Sequence, residues 1–162
     1  MRSLTLAAVA ALPAFMFTAA EAAEPLPVSE LQDRAAIQNL VVRYTIALDT
    51  LDADAYESVF APDAEFTFGG NTFKGREQIR GIVTGIQAQS AGQPADAPRM
   101  YHALSNTYIE LVSPTEARHR SYWQTITGPA SGPFNVGAMG VYEDVLVKLD
   151  GEWLIQNRKI IQ

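Results

Sequence analysis

The sequence has no cysteine and only two histidines among its 162 residues. Without cysteine the protein has no disulfide, no thiol nucleophile and no cysteine-ligated metal. Two histidines leave little for a histidine-rich metal site, so we expect neither a metal nor another cofactor. Basic residues are also few: 12 Lys and Arg stand against 18 Asp and Glu, giving a net charge of −6. This balance argues against nucleic acid or anionic lipid as a partner.

Residues 1–22 are predicted to be a secretory signal peptide. Arg2 supplies a positive charge, an apolar run covers residues 4–17, and Ala20 and Ala22 are the small residues that precede a cleavage site. The run is short for a bilayer span, which needs about 20 apolar residues, although an uncleaved membrane anchor is the alternative. No later segment of the sequence is apolar for long enough to span a membrane. We therefore expect a secreted or periplasmic protein with no membrane attachment after cleavage.

The rest of the sequence predicts one α+β domain over residues 30–162, after a short linker at 23–29. Apolar residues at helical spacing and turn signals between them predict three helices, at residues 30–48, 53–60 and 76–87. Residues 88–98 are small and polar and are expected to form a surface loop or a lid. From Arg99 onward, long alternating stretches separated by turns predict an antiparallel meander. Helices followed by strands are typical of helices packed on one face of a curved sheet.

Three aspartates lie within six residues where the first predicted helix ends. Asp52 has the position of a helix N-cap, where its side chain accepts a free backbone N–H. Asp54 lies in the first turn of the next helix, where the helix dipole favours negative charge. Asp49 has neither function, because it lies at the helix end that disfavours a carboxylate. It is either a solvent-exposed helix terminus or a functional residue.

The stretch from Asp33 to Ile79 resembles the beginning of SnoaL-like proteins, which belong to the nuclear transport factor two-like superfamily. The shared features are a long helix ending in aspartate, a short aromatic and acidic helix, the stretch FAPDAEF, a Gly-rich hairpin and a helix with GREQI. The later stretches YHALSNTYIE and DGEW match as well. The resemblance implies a cone, in which a curved mixed or antiparallel sheet and about three helices enclose an apolar pocket. It also implies a homodimer.

The resemblance further implies a catalytic dyad of Asp49 and His102, because lyases of this family pair an aspartate of the first helix with a histidine of the first long strand. A bile-acid dehydratase of the family has a tyrosine at the position of Tyr44. A dehydrochlorinase that acts on chlorinated cyclohexanes has an arginine at the position of Arg158. Scytalone dehydratase has a second histidine at the position of residues 125–127, which this sequence lacks.

These residue types suit the elimination of water or a halide next to an activated C–H bond. Histidine has the ordinary pKa closest to neutral pH and can act as the base. A carboxylate bonded to its other ring nitrogen fixes the tautomer and stabilises the imidazolium that forms. Tyr44 would donate to the leaving group or to a carbonyl, unless it only packs in the core. Arg158 would hold an anion, unless it is a solvated charge on an edge strand.

The other site candidates share strand faces and are mostly apolar. Six of them are expected to line the pocket and bind the substrate: Phe66, Phe68, Met100, Trp123, Thr125 and Tyr142. His119 lies between two arginines near a predicted turn and is expected at the surface.

The sequence therefore predicts an exported, cofactor-independent lyase or isomerase that acts on a small hydrophobic molecule, such as a cyclic one, through an Asp–His dyad. The alternative is a non-catalytic periplasmic protein that carries or senses a hydrophobic ligand. A polyketide-type cyclase is disfavoured, because substrates of such cyclases are usually made in the cytoplasm.

We expect the mature protein to begin at Ala23, directly after the small residues at positions 20 and 22. N-terminal sequencing of protein recovered from the periplasm or the medium checks this cleavage site. A mature chain that keeps residues 4–17 would contradict export and indicate a membrane anchor.

Overall fold

The structure, a computed structural model, describes residues 25–162, so the predicted signal peptide lies outside the described residues. The helices are α1 (Val28–Asp49), α2 (Ala53–Ser58) and α3 (Gly75–Ser90). The strands are β1 (Phe60–Phe68), β2 (Asn71–Lys74), β3 (Arg99–Ser113), β4 (Glu116–Gly128), β5 (Asn135–Leu149) and β6 (Glu152–Ile161). Over these residues, no helix is long and apolar enough to cross a membrane.

The six strands form one curved, unclosed sheet in the order β2-β1-β6-β5-β4-β3. β1 and β6 run parallel, and all other neighbours are antiparallel. The three helices cover one face of the sheet, which we call the inner face; the opposite face is the outer face. The predicted α+β class and the curved sheet with three helices are confirmed.

The long helix α1 packs on the inner face through its apolar side. Helical spacing places five residues on this side of the helix. Ile37, Leu40, Val41 and Tyr44 are buried, and Leu48 is half-buried. Near its N-terminus, Asp33 accepts hydrogen bonds from Lys148 Nζ at 2.7 Å and Trp153 Nε1 at 2.9 Å. These bonds lower the pKa of Asp33 below its ordinary value and attach the helix to the β5–β6 hairpin.

The boundary between α2 and β1 differs from the prediction. The helix was predicted to reach residue 60 but ends at Ser58, and β1 begins at Phe60. Tertiary pairing explains the difference: Phe60 is fully buried and pairs with Ile155 of β6. Pro62 is tolerated here because the pairing between β1 and β6 is irregular at this point.

The other boundaries follow the sequence more closely. α3 continues to Ser90, which shortens the predicted loop to residues 91–98. The sequence Asp150-Gly151 is typical of a two-residue hairpin turn, and the β5–β6 hairpin turns there with the positive φ angles of 50° and 86° that this turn requires.

A β-bulge in β3 determines which of its side chains face inward. The pairing with β4 shifts between Ser105 and Tyr108, at Asn106, whose φ angle is 50°. A shift of one residue exchanges the two faces of a strand. His102, before the bulge, and Ile109, after it, therefore both lie on the inner face.

A second bulge has the same effect in β6. Gln156 is an extra residue between Ile155 and Asn157 that has no pairing partner in β5. Because of this extra residue, Arg158 lies opposite Asp144 on the inner face.

We expect Asp52→Ala to lower the free energy of unfolding by about 1 kcal/mol, because the Asp52 carboxylate caps α2 by accepting the backbone N–H of Ala55 at 2.9 Å. Asp52→Asn keeps an acceptor at the same position and should stay close to wild type. Urea denaturation of the three proteins measures both effects, and an equal loss in the two variants would contradict the cap.

Candidate functional site

Asp49 and His102 are joined by two hydrogen bonds. Asp49 Oδ2 accepts the backbone N–H of His102 at 3.0 Å, and Asp49 Oδ1 lies 2.6 Å from the ring Nδ1. The carboxylate is an acceptor, so the Nδ1 in this pair carries the proton and Nε2 is left for another partner. The two side chains are mostly buried, with 15% and 11% of their surface exposed.

The end of α1 places Asp49 against β3. Asp49 is the last helical residue, and the chain then turns through Leu51, whose φ angle is 55°. The turn is closed by a hydrogen bond from the backbone N–H of Asp52 to the carbonyl of Ala47 at 2.8 Å. A carboxylate at this end of a helix is disfavoured by the helix dipole, and the two donors of His102 offset that cost.

Arg158 is buried at the centre of the inner face, so the alternative of a solvated edge-strand charge is wrong. Its Nε and Nη2 each donate to Asp144 at 2.7 Å. The guanidinium lies over the rings of Tyr44 and Tyr142, at 3.9 and 4.4 Å from their centroids. This combination of a two-point ion pair and two cation–π contacts fixes the arginine in one orientation.

The pair of Asp144 and Arg158 stays charged despite its burial. Burial alone would raise the pKa of Asp144, but the charge and hydrogen bonds of Arg158 and the hydrogen bond of His119 outweigh burial and lower it. Burial would likewise lower the pKa of Arg158, and the charge of Asp144 reverses this, so the pKa of Arg158 is raised. The positive charge of Arg158 is thus neutralised by a protein carboxylate.

His119 is buried, contrary to the prediction that it lies at the surface. Its side chain is fully enclosed, and Nδ1 lies 2.6 Å from Asp144 Oδ2. Side chains alternate along β4, so Arg118 and Arg120 face outward and His119 faces inward. This alternation was present in the sequence and would have placed His119 correctly. Asp144, its partner, was not recognised as a site residue.

Tyr44, which lies under Arg158, is hydrogen-bonded to a second buried tyrosine, Tyr56. Tyr44 is fully buried, and its hydroxyl accepts a hydrogen bond from the hydroxyl of Tyr56 at 3.4 Å. Burial raises the pKa of Tyr56 well above its ordinary value, so this hydroxyl keeps its proton. Sequence reasoning missed Tyr56, because its helix is too short to show a periodic apolar face.

Aromatic rings connect the dyad to the buried ion pair. Trp123 stacks on Tyr142, with ring centroids 5.8 Å apart and an interplanar angle of 20°. On its other side Trp123 lies near the His102 ring, at 6.3 Å between centroids. Thr125 is buried and pairs directly with His102 across β3 and β4. The dyad, the aromatic pair and Arg158 therefore form one continuous cluster on the inner face.

The six predicted substrate-binding residues are only partly brought together. Four of them are buried: Phe66, Trp123, Thr125 and Tyr142. Phe68 and Met100 are 40% and 50% exposed, because they lie at the ends of β1 and β3. The structure therefore leaves these two residues outside the buried group, and their contact with a ligand stays a prediction.

A groove of about 500 Å³ lies on the outer face of the sheet, away from the dyad. Its lining is rich in charges of both signs, including Glu65, Glu143, Arg118, Arg120 and Lys159. Such a lining is unlike the apolar pockets that bind hydrophobic molecules. Within residues 25–162, no three His, Asp or Glu side chains converge as a metal site would require.

Solved structures of several proteins share this fold. A protein from Novosphingobium aromaticivorans described as a candidate scytalone dehydratase is 26% identical, with a TM-score of 0.68 over 82% of this chain and 85% of that one. An NTF2-like protein with a cystatin-like fold from the same species is 23% identical, with a TM-score of 0.69 over 82% and 83%. LinA is 24% identical, with a TM-score of 0.68 over 82% and 87%.

No protein of curated function matches the sequence. The SnoaL-like domain matches residues 29–159, which include every element of the fold from α1 to most of β6. The chain therefore belongs to the SnoaL-like domain family.

Proposed function

We propose that the protein is a cofactor-independent lyase or isomerase that acts on a small hydrophobic molecule through Asp49 and His102. The observation that carries the proposal is the double hydrogen bond from His102 to the Asp49 carboxylate. A helix-terminal aspartate that faced solvent would need no such partner. Here it holds one histidine by both its backbone and its ring, as a base that must keep a single orientation is held.

In this proposal His102 Nε2 removes a proton from a carbon next to a carbonyl or next to a carbon with a leaving group. The electron pair of the broken C–H bond forms the new double bond while hydroxide or halide departs. In an isomerisation the proton returns to a different carbon. Asp49 stabilises the imidazolium, since its negative charge lies against Nδ1.

Tyr44 is the proposed proton donor to the leaving group or carbonyl. Its hydroxyl accepts a hydrogen bond from Tyr56, which leaves its own proton for another acceptor. Arg158 has its charge paired with Asp144 and lies against the Tyr44 ring. We therefore assign Arg158 a positioning function for Tyr44, in place of the anion-holding function expected from the sequence.

The similarity to a candidate scytalone dehydratase supports a dehydration over other reactions of this fold. The alternative of a non-catalytic binding protein is disfavoured by the orienting bonds of His102, which binding alone would not require. Export to the periplasm, from residues 1–22, and a homodimer are proposals that depend on the sequence pattern and the family resemblance.

We expect His102→Ala to lower elimination about 10²–10⁴-fold. Asp49→Asn should also lower the rate of elimination strongly, because the amide keeps the shape of the side chain but loses the charge that stabilises the imidazolium. The double variant should be little worse than His102→Ala, since residues that act as a unit are non-additive. Two probes cover the leaving groups: 3-hydroxycyclohexanone, which loses water, and γ-hexachlorocyclohexane, which loses HCl. Product formation is followed by ultraviolet absorbance and chloride release.

Asp52→Asn is the matched control for this experiment, because it removes the charge of a neighbouring aspartate that only caps α2. It should turn over the probes as the wild type does. Melting temperatures of all variants show whether the fold is kept. Turnover by a folded His102→Ala variant close to that of the wild type would refute the dyad.

The buried ion pair predicts a pH dependence of stability. The pKa of Asp144 is lowered from its ordinary value in the folded protein, so the stabilisation is complete above the pKa of the unfolded carboxyl, about pH 4, and is lost as the pH falls through the folded pKa. Asp144→Asn leaves Arg158 buried without a counter-ion and should cost about 3–5 kcal/mol near neutral pH. The variant should lose less additional stability than the wild type below about pH 4. Calorimetric unfolding across this range measures both, and an unchanged melting temperature at neutral pH would contradict the prediction.

A further inference from the structure

The turn at residues 50–52 controls the direction of the Asp49 carboxylate, because Asp49 is the last residue of α1 and the chain leaves the helix directly after it. Leu51 in this turn has a φ angle of 55°, a left-handed conformation that leucine rarely adopts. Such a conformation persists only where the surrounding structure holds it. The groups that hold Leu51 therefore also hold the carboxylate of the dyad in its orientation.

Most hydrogen bonds of this turn are local. The backbone N–H groups of Thr50 and Leu51 donate to the carbonyls of Ile46 and Leu48, at 2.9 and 3.2 Å, and so attach the turn to the end of α1. The exception comes from α3, where Gln87 Nε2 donates to the carbonyl of Leu51 at 2.7 Å. Within residues 25–162, no other hydrogen bond joins the backbone of this turn to an element outside α1 and α2. Gln87 is thus the tertiary restraint on the turn.

The helix that carries Gln87 is itself firmly held. Ile79 and Val83 of α3 are fully buried in the core. Arg80 lies seven residues before Gln87, which is about two helical turns, so the two side chains share one side of the helix. On that side Arg80 Nε lies 3.1 Å from Glu57 Oε2 of α2. One side of α3 therefore contacts α2 and the turn, and a rigid element supports the bond of Gln87.

The same helix also leads to the other member of the dyad. The chain leaves α3 at Ser90, crosses a short loop and enters β3 at Arg99, three residues before His102. β3 is an edge strand of the sheet, and the backbone N–H of His102 donates to Asp49 Oδ2 across that edge. Both members of the dyad are thus connected to α3, one through Gln87 and the other through the chain itself.

We infer that Gln87 is a positioning residue of the dyad. Its hydrogen bond to the Leu51 carbonyl holds the turn in the conformation in which the Asp49 carboxylate meets both the backbone N–H and the ring of His102. The consequence for turnover rests on the proposed function, because it concerns the same dyad. The positioning itself can be measured without any substrate.

Hydrogen exchange of the His102 backbone amide, followed by NMR, tests the positioning directly, because Asp49 accepts this N–H. Gln87→Met keeps the length and the helix preference of the side chain but cannot donate a hydrogen bond. We expect this amide to exchange about three- to tenfold faster in the variant, the effect of one lost hydrogen bond on local opening. The amides of the interior strand β5 should exchange as in the wild type. Equal acceleration in β5 would indicate general destabilisation and overturn the inference.

Two further variants separate the hydrogen bond from packing. Gln87→Lys keeps a donor at the same position and should stay close to the wild type. Gln89→Met is the matched control, because Gln89 is an exposed glutamine of the same helix that lies about 200° around its axis from Gln87, and it should have no effect. Unchanged exchange of the His102 amide in Gln87→Met, or equal acceleration in either of the other two variants, would overturn the inference.

Turnover of the elimination probes tests the consequence for catalysis. Gln87→Met should lower kcat about three- to tenfold and leave KM nearly unchanged, because the orientation of the base matters in the transition state. Adding Gln87→Met to Asp49→Asn should slow the reaction little further, since Gln87 acts through the carboxylate that is already lost. If the wild type turns over the probes and kcat is unchanged in a Gln87→Met variant with faster exchange, the bond is merely structural and the inference is wrong.

A failure of the proposed function gives a different result. Faster exchange of the His102 amide in Gln87→Met, together with no turnover by the wild type, would refute the lyase or isomerase and leave the positioning by Gln87 in place. Turnover by the wild type together with unchanged exchange in Gln87→Met would do the reverse.

Discussion

The carboxylate of Asp144 is the constraint on which the inner face depends. It lies on β5 and binds His119 of β4 on one side and Arg158 of β6 on the other, so one group links three neighbouring strands. A charge buried in this way costs several kcal/mol unless it is fully paired, and three hydrogen bonds provide that pairing. A shift in the register of β4, β5 or β6 would separate Asp144 from these partners and leave a buried charge unpaired. The ion pair therefore favours the observed register.

The orientation of the aromatic side chains follows from this ion pair. Arg158 can bind Asp144 at two points only with its plane fixed, and in that orientation it contacts both Tyr44 and Tyr142. Tyr142 in turn supports Trp123, which lies beside His102. The ion pair of Asp144 and Arg158 therefore fixes the orientation of a series of packed aromatic rings, and the last of these rings lies beside His102.

An aspartate–histidine pair occurs at two places on the inner face, and the two pairs have different environments. In both cases a carboxylate oxygen lies 2.6 Å from histidine Nδ1. At Asp49 and His102 the pair is partly accessible, with 15% and 11% of the two side chains exposed. At Asp144 and His119 the pair is fully enclosed and shares its carboxylate with Arg158. Environment, rather than residue type, thus separates a candidate base from a supporting residue.

Sequence reasoning recovered those features that depend on local pattern. The apolar face of α1, the capping position of Asp52 and the turn at Asp150 all follow from spacing and turn chemistry. The end of α2 was misplaced because the pairing of Phe60 with a strand nearly a hundred residues later outweighed its helical context. Asp49 and His102 were identified through family resemblance, since no local pattern brings residues 53 positions apart together. The partnership of Asp144 with Arg158 was out of reach because it depends on a bulge.

The bulge at Gln156 shows that the number of residues in β6, and not only their identity, determines which side chains are buried. The turn at Asp150 and Gly151 sets the pairing of β6, and the one extra residue reverses the direction of every side chain that follows. Gln156 itself is only half-buried and bonds Asp63 at the surface, so its chemical nature matters little. Its removal, by contrast, would turn Arg158 to the solvent and bring its neighbours Asn157 and Lys159 into the core. The composition of the interior therefore depends on the number of residues between the turn and Arg158 as much as on their types.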